Sequence, residues 1–279
     1  MDAFHHLREA LHMFQRRITV AKKGFKTYEG MPEQIAEQII KNCWNNTFFQ
    51  VSTGHFSLFY IRDFGMCMEA LQKLGYKKEI EKTLQFALAC YSRENRIATT
   101  ITKNGKCFDV FSYAPDSLAF LLYSLRVTDK TKKNNTKSKE LVEIYKPFLE
   151  RQIQFFEDNI FDKQTNLIRR DKNFSSIKDN AKRQSSCYDN CCAAVIAREA
   201  KSLGLECNLS FEKIKAAIKQ TFWTGDYFRD TKETKYVAGD ANTFPFWFEI
   251  FSESKEEKEM LKKVIAAVQK EKLDHPFPL

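Results

Sequence analysis

The chain has 279 residues and a formal net charge of +9, and its length suits one large domain or two small ones. Its excess of lysine lacks the concentrated basic stripe and the reader motif of a nucleic-acid-binding protein. No run of sequence approaches the roughly 18 apolar residues of a membrane span. We therefore predict that neither nucleic acid nor a membrane is a partner. Because no linker rich in Pro, Gly or Ser divides the chain, we predict a single domain over residues 1–279.

Helical periodicity dominates the chain, and only 9 Gly and 6 Pro interrupt it. We predict a first helix over residues 3–24 and a second over residues 32–43. An aromatic loop over residues 44–56 then leads to the adjacent charges of Arg62 and Asp63, which lie between apolar residues. Burial of an unpaired charge costs several kcal/mol, so this pair is the first candidate for a functional role.

Three polar excursions separate the later helices. Residues 96–110 alternate between polar and apolar side chains around Asn104-Gly105, which is a strong β-hairpin signal. Residues 165–186 predict a loop or short strands, and residues 223–237 predict another strand-and-turn excursion. The remaining segments give about ten helices, so the predicted class is all-α with short β-hairpins.

The same arrangement recurs four times along the helices. In each case an acidic residue opens an apolar helix, and a more amphipathic helix follows; the four acids are Asp63, Asp116, Asp189 and Asp240. The period of roughly 50 to 70 residues exceeds that of solenoid repeats and predicts helical hairpins that close into a toroid. The four acids then share one mouth of the toroid, whether they act there or only serve as N-caps, a position that Asp favours.

The spacing of the cysteines indicates whether a metal is bound, and the N-terminal sequence indicates whether the protein is secreted. Cys187, Cys191 and Cys192 lack paired CxxC spacing and have no nearby His, so no zinc site is predicted. Buried thiols in a reducing compartment are the simpler account of the eight cysteines. Residues 1–25 carry Glu and Arg where a signal peptide has its apolar core. We therefore predict a cytoplasmic protein without a metal, and no glycine-rich phosphate loop indicates a cofactor.

These elements resemble the six-hairpin, (α/α)6-barrel glycosidases, namely glucoamylases, the glucosidase domain of glycogen-debranching enzymes and neutral invertases. The resemblance covers residues 44–251. Tyr60-Ile61-Arg62-Asp63 is similar to the family's W-x-R-D element, whose Arg and Asp hold hydroxyls of the terminal sugar. Residues 113–125 (YAPDSLAFLLYSL) are similar to the segment that carries the proton donor, which corresponds to Asp116. The resemblance implies an (α/α)6-barrel-like toroid of helical hairpins with short β-hairpins at its mouth.

Two later segments extend the resemblance. Tyr188-Asp189-Asn190 resembles the element of the next hairpin that helps to line the sugar site, and Asp240-Ala241-Asn242 resembles a later family segment. The resemblance therefore implies a mono- or oligosaccharide ligand. The residues that it assigns to sugar binding are Arg62, Asp63, Tyr60, Tyr113, Asp189, Asn190, Asp240 and Asn242.

The chain departs from the family pattern at two points. Asp116 is followed by Ser117-Leu118-Ala119-Phe120 in place of the tryptophans that commonly flank the donor. The family's general base is a Glu on a later hairpin, and this sequence reaches Leu279 before a sixth hairpin. We therefore expect a toroid that lacks its last hairpin, with the general base beyond Leu279 or absent.

Inverting hydrolysis needs carboxyl groups in different protonation states, and the surroundings of Asp116 and Asp63 favour different states. One carboxyl must be protonated to donate to the leaving oxygen, and a second carboxylate about 6.5 to 9.5 Å away must activate water. Asp116 lies among apolar and aromatic residues, which suits a proton donor, whereas Arg62 favours the ionised form of Asp63. With the resemblance, these settings predict an inverting glycoside hydrolase that acts on a glucoside-like or oligosaccharide substrate, with Asp116 as general acid.

Two alternatives use the same fold. An epimerase resembling the N-acylglucosamine epimerases needs two positioned acid/base groups, and of the five histidines here only His55 lies in a candidate mouth loop. A toroid without its last hairpin also suits a catalytically incomplete sugar-binding or protein-interaction scaffold. Fold alone does not decide among these functions, and the sequence leaves the oligomeric state open.

Overall fold

The computed structural model describes residues 2–54, 56–110, 112–130, 136–174, 176–178 and 181–275. Ten α-helices lie in these ranges: α1 (Asp2–Lys23), α2 (Pro32–Cys43), α3 (Ile61–Lys73), α4 (Lys77–Glu94), α5 (Pro115–Lys130), α6 (Thr136–Asn159), α7 (Cys187–Ser202), α8 (Phe211–Phe222), α9 (Gly239–Trp247) and α10 (Lys255–Lys270). Five two-residue strands accompany them: β1 (Phe59–Tyr60), β2 (Thr100–Ile101), β3 (Cys107–Phe108), β4 (Phe161–Asp162) and β5 (Leu167–Ile168). The predicted all-α class with short β-hairpins is confirmed.

The chain forms two compact units. Unit 1 comprises residues 1–110 and 127–145, and unit 2 comprises residues 111–126 and 146–279. The single domain over residues 1–279 stays a prediction.

In unit 1 the predicted hairpin at Asn104-Gly105 is confirmed. Gly105 adopts a φ of +76°, which a residue without a Cβ reaches at no steric cost. Strands β2 and β3 pair antiparallel on either side of this turn, and β1 pairs with β2, so that Tyr60 lies opposite Thr100. Helix α3 begins directly after β1. The sheet therefore fixes the point at which Arg62 enters the first turn of α3.

Helix α7 is the centre of unit 2. Its sequence, CYDNCCAAVIAREAKS, is apolar or small around most of its circumference, as expected of a helix that is buried on all sides. It packs against α8, α9 and β5. The thiols of Cys187, Cys191 and Cys192 are fully buried, as predicted, whereas Cys67 is exposed. The expectation of buried thiols is thus wrong for Cys67, which lies on the outward side of α3.

Among the described residues, no helix has the length and apolar character needed to cross a membrane.

Candidate functional site

The four acids lie inside the first turns of their helices. Asp116 and Asp240 are the second residues of α5 and α9, and Asp63 and Asp189 are the third residues of α3 and α7. The N-caps of α3, α7 and α9 are Tyr60, Ser186 and Ala238. The interpretation of these three acids as N-caps is therefore wrong, although a carboxylate in the first turn still gains from the helix dipole.

In unit 1, the predicted sugar-binding residues lie at the junction of β1 and α3. Arg62 and Asp63 are both half-buried. Tyr60 is also half-buried, and its ring contacts that of Phe56 edge-on, with the centroids 5.9 Å apart. His55, which the epimerase alternative requires, lies outside the described residues. The assignment of Arg62, Asp63 and Tyr60 to sugar binding stays a prediction.

In unit 2, Asp116 is fully buried at the start of α5. Tyr188, from the first turn of α7, donates its hydroxyl hydrogen to Asp116 Oδ2 over 3.1 Å. The Tyr188 ring is itself buried and meets the ring of Phe244 edge-on at 4.7 Å. Tyr113 is half-buried, with its ring 5.8 Å from that of Phe155. The carboxyl of Asp116 is thus oriented by a tyrosine in a buried setting.

A cluster of charges links the starts of α7 and α9. Arg183 Nη1 donates to Asp230 Oδ1 at 2.8 Å and to Asp240 Oδ2 at 2.7 Å. These three side chains are 6%, 1% and 5% exposed, respectively. Lys178 Nζ lies 3.2 Å from Asp230 Oδ2 and 2.9 Å from Asp240 Oδ1, and its side chain is 34% exposed. Tyr236 donates to Asp230 Oδ2 at 2.7 Å. We call Lys178, Arg183, Asp230, Tyr236 and Asp240 the ionic cluster.

The ionic cluster keeps its charges. Burial acts to raise the pKa of Asp230, but hydrogen bonds from Tyr236 and Arg183 bring that pKa below its ordinary value. The hydrogen bond to Asp230 raises the pKa of Tyr236 to about 12. Burial acts to lower the pKa of Arg183, but the fields of Asp189, Asp230 and Asp240 raise it overall. A cation and a carboxylate therefore persist together in this interior at neutral pH.

The pKa of Asp189 is shifted in the opposite direction from that of Asp230. Asp189 is buried, and burial raises its pKa against the opposing effect of hydrogen bonds from Ser176 and Ser186 and the attraction of Arg183. The Ser186 hydroxyl lies 2.7 Å from Asp189 Oδ2 and also accepts from the Asp189 backbone N–H. Two neighbours of Arg183 thus have pKa values shifted in opposite directions. Such a divergence is a mark of acid/base pairs in active sites, although structural ion-pair networks produce it too.

The two predicted asparagines bind backbone atoms. Asn190 Oδ1 accepts from the Ile168 N–H at 2.7 Å, and its amide nitrogen donates to the Ser186 carbonyl. Asn242 Oδ1 accepts from the Phe228 N–H at 2.8 Å, and its amide nitrogen donates to the carbonyls of Phe228 and Ala238. Both side chains therefore hold the loop that precedes their own helix. Their assignment to sugar binding stays a prediction.

The sequence motifs predicted only part of this site. They indicated Asp116, Asp189 and Asp240; Arg183 bonds to Asp240, and the charges of Arg183 and Asp189 act on each other. They did not indicate Arg183 or Lys178, although both lie in the polar stretch over residues 165–186 that leads into α7. Within the described residues, no group of three or more His, Cys, Asp or Glu side chains is placed to hold a metal ion.

No family model and no curated protein sequence matches the chain. Among solved structures, a rhamnosidase from Klebsiella oxytoca with rhamnose bound matches with a TM-score of 0.60 at 10% sequence identity. The match covers 84% of this chain and 46% of the rhamnosidase chain, so this chain spans about half the length of that relative. At this identity the likeness shows the fold alone, which is a glycosidase-like helical fold.

Proposed function

We propose that the chain belongs to a carbohydrate-active protein, an inverting glycoside hydrolase of the six-hairpin (α/α)6-barrel type that acts on a glucoside-like or oligosaccharide substrate. The observation that carries the proposal is the buried Asp116 carboxyl at the start of α5, which accepts a hydrogen bond from Tyr188. The likeness of the fold to that of a rhamnosidase supports it.

In this proposal Asp116 is the general acid. The reaction needs a protonated carboxyl that gives its proton to the leaving oxygen while water attacks from the opposite face of the sugar. Burial of a carboxyl disfavours its charged form. The hydroxyl of Tyr188 holds Oδ2 in place, which keeps the acid in one orientation. Burial and the fixed orientation suit a proton donor, whereas the hydrogen bond from Tyr188 by itself favours the carboxylate form.

Arg62 and Asp63 bind hydroxyls of the terminal sugar. A guanidinium and a carboxylate form charge-assisted hydrogen bonds, which are shorter and stronger than neutral ones. Both residues are half-buried. Tyr60 and Tyr113 are half-buried as well and offer ring faces against which the apolar face of a sugar packs.

Asp189 and Asp240 accept further hydroxyls. Ser186 orients Asp189, and Lys178 and Arg183 orient Asp240. Of the groups bonded to Asp240, Lys178 is the more exposed, so a sugar hydroxyl displaces its ammonium group more easily than the guanidinium of Arg183. Asn190 and Asn242 support this arrangement, because their backbone hydrogen bonds fix the starts of α7 and α9.

One observation favours the alternative of a sugar-binding or interaction scaffold without catalysis. The carboxylates of Asp230 and Asp240 are already bonded to Arg183 and Lys178, and the Asp189 carboxyl is bonded to two serines. Networks of buried charges that satisfy one another also occur as structural features without a catalytic role. The two functions differ in whether bound sugar is turned over.

The test is hydrolysis of maltose, isomaltose, sucrose, trehalose and an aryl rhamnoside by the wild-type chain and by Asp116→Asn. We expect turnover of at least one substrate and a loss of about a hundredfold or more in kcat for Asp116→Asn, the usual contribution of a general acid. Asp226→Asn removes an exposed carboxylate and serves as the matched control. Equal turnover by wild type and Asp116→Asn would rule out the assignment, and sugar binding without any turnover would favour the scaffold.

A further inference from the structure

Unit 2 contains a cavity that the proposed sugar residues do not line. It has a volume of about 720 Å³ and lies between α8, the β4–β5 hairpin and the segments around residues 184–185 and 229–232. This volume is within the usual range of small-molecule sites.

The inner wall of the cavity is preformed. Phe222, at the end of α8, and Ile168, in β5, are both buried. Ile168 is held by the hydrogen bond from its N–H to Asn190 Oδ1. Ser185 is buried with a φ of +50°, a backbone conformation that few residues other than glycine adopt. These lining residues are therefore already fixed in the free protein, and ligand binding requires little further ordering of them.

The cavity carries more positive than negative charges, because Arg170, Arg229 and Lys232 line it together with a single carboxylate among the described lining residues, Asp162. Neither Arg229 nor Lys232 forms an ion pair with a carboxylate of the described residues, and the Arg229 guanidinium donates only to the Lys232 carbonyl, at 3.3 Å. A third cation, Arg170, pairs with Glu233. The lining carboxylate of Asp162 is engaged in its own turn, where it accepts from the Gln164 N–H and the Thr165 hydroxyl. The local field therefore favours an anion.

Neutral hydrogen-bonding groups surround these cations. Gln164, Gln184 and Gln220 all line the cavity, and their side-chain amides form no hydrogen bond with another described residue. Each amide presents two donors and one acceptor oxygen, which is the complement of a sugar hydroxyl. Phe222, the aromatic residue among the described lining residues, is buried and offers no open ring face for a nucleotide base.

We propose that this cavity binds an anionic sugar, with ring hydroxyls on the glutamine amides and a phosphate or carboxylate group on Arg229 and Lys232. The cavity is much larger than a free phosphate ion requires. Its residues differ from those of the proposed hydrolase site, so the two proposals stand or fall separately.

The test is calorimetric titration of the full chain with glucose 6-phosphate, glucuronate, glucose and inorganic phosphate. We expect binding of glucose 6-phosphate or glucuronate, which also identifies the preferred anionic group, and affinity at least about tenfold weaker for glucose and for inorganic phosphate. The variant Arg229→Gln/Lys232→Gln should weaken binding of the anionic sugar by about tenfold or more, since it removes two charge-assisted contacts.

The variant Lys201→Gln/Lys213→Gln removes the same charge from exposed positions outside the cavity, and we expect it to bind as wild type does. A second variant, Gln184→Ala/Gln220→Ala, should weaken the binding of glucose 6-phosphate but leave the binding of inorganic phosphate unchanged. The proposal is overturned if neither anionic sugar binds, if inorganic phosphate binds as tightly, or if the control weakens binding as much as the cavity variant. Asp116→Asn should leave this binding intact.

Discussion

Arg183 is the residue on which the polar interior of unit 2 depends. It contacts Asp230 and Asp240 directly, and its charge acts on Asp189 as well. A buried ion pair contributes little compared with an apolar isostere, but loss of one partner leaves an uncompensated charge. The partners of Arg183 are 47 and 57 residues away along the chain. That separation explains why local patterns predicted Asp240 but neither Arg183 nor Asp230.

Replacement of Arg183 should therefore cost far more than replacement of Lys178. We expect Arg183→Gln to lower the free energy of unfolding by about 3 to 5 kcal/mol, because Asp230 and Asp240 lose their buried partner. Lys178→Gln removes a cation from the same two acids at a more exposed position, and we expect about 1 kcal/mol or less. Urea unfolding of the two variants measures both values. Equal losses would contradict this role for Arg183.

At the scale of elements, α7 and α9 begin in the same way. Each has an acid and an asparagine in its first turn, and each asparagine donates to the carbonyl four residues earlier while accepting a backbone N–H from a more distant loop or strand. The helices and their order were predictable because apolar periodicity and Asn-Gly punctuation are local signals. The backbone hydrogen bonds of Asn190 and Asn242 were not predictable from local sequence, since their partners Ile168 and Phe228 lie far away along the chain.

Glu257, in the capping box at the start of α10, predicts a pH-dependent contribution to the stability of the fold. Glu257 accepts from Lys215 at 2.7 Å and from the backbone N–H groups of Glu253 and Ser254. Burial acts to raise the pKa of Glu257, but these donors lower it from 4.5 to about 2. Because the pKa is depressed in the folded state, the stabilisation is fully present above pH 4.5 and is lost as the pH falls towards about 2.

We therefore expect Glu257→Gln to cost about 1 kcal/mol of unfolding free energy above that window, since it loses the ion pair with Lys215. The cost should vanish near the lower end of the window. Urea unfolding as a function of pH, with Glu256→Gln at an exposed neighbouring position as the control, measures the difference. A cost independent of pH would contradict this account of the α10 cap.

At the scale of the whole molecule, the helical class and the likeness to a glycosidase fold agree with the expectation from short motifs such as Tyr60-Ile61-Arg62-Asp63. The likeness in fold is found at a sequence identity of 10%. Activity is harder to predict, because it depends on how side chains such as Asp116 and Tyr188, 72 residues apart, come together. The proposed function depends on the claim that the molecule binds a sugar through Arg62 and Asp63.

Calorimetric titration of the wild-type chain with glucose, rhamnose, maltose, isomaltose, sucrose and trehalose tests that claim most directly. We expect at least one of these sugars to bind, and Asp63→Ala to weaken its binding by about tenfold or more through loss of a charged hydrogen-bond acceptor. Asp226→Ala, at an exposed position, should bind as wild type does, and so should Asp116→Asn. A folded wild-type chain that binds none of these sugars, or an Asp63→Ala variant with unchanged affinity, would contradict the account.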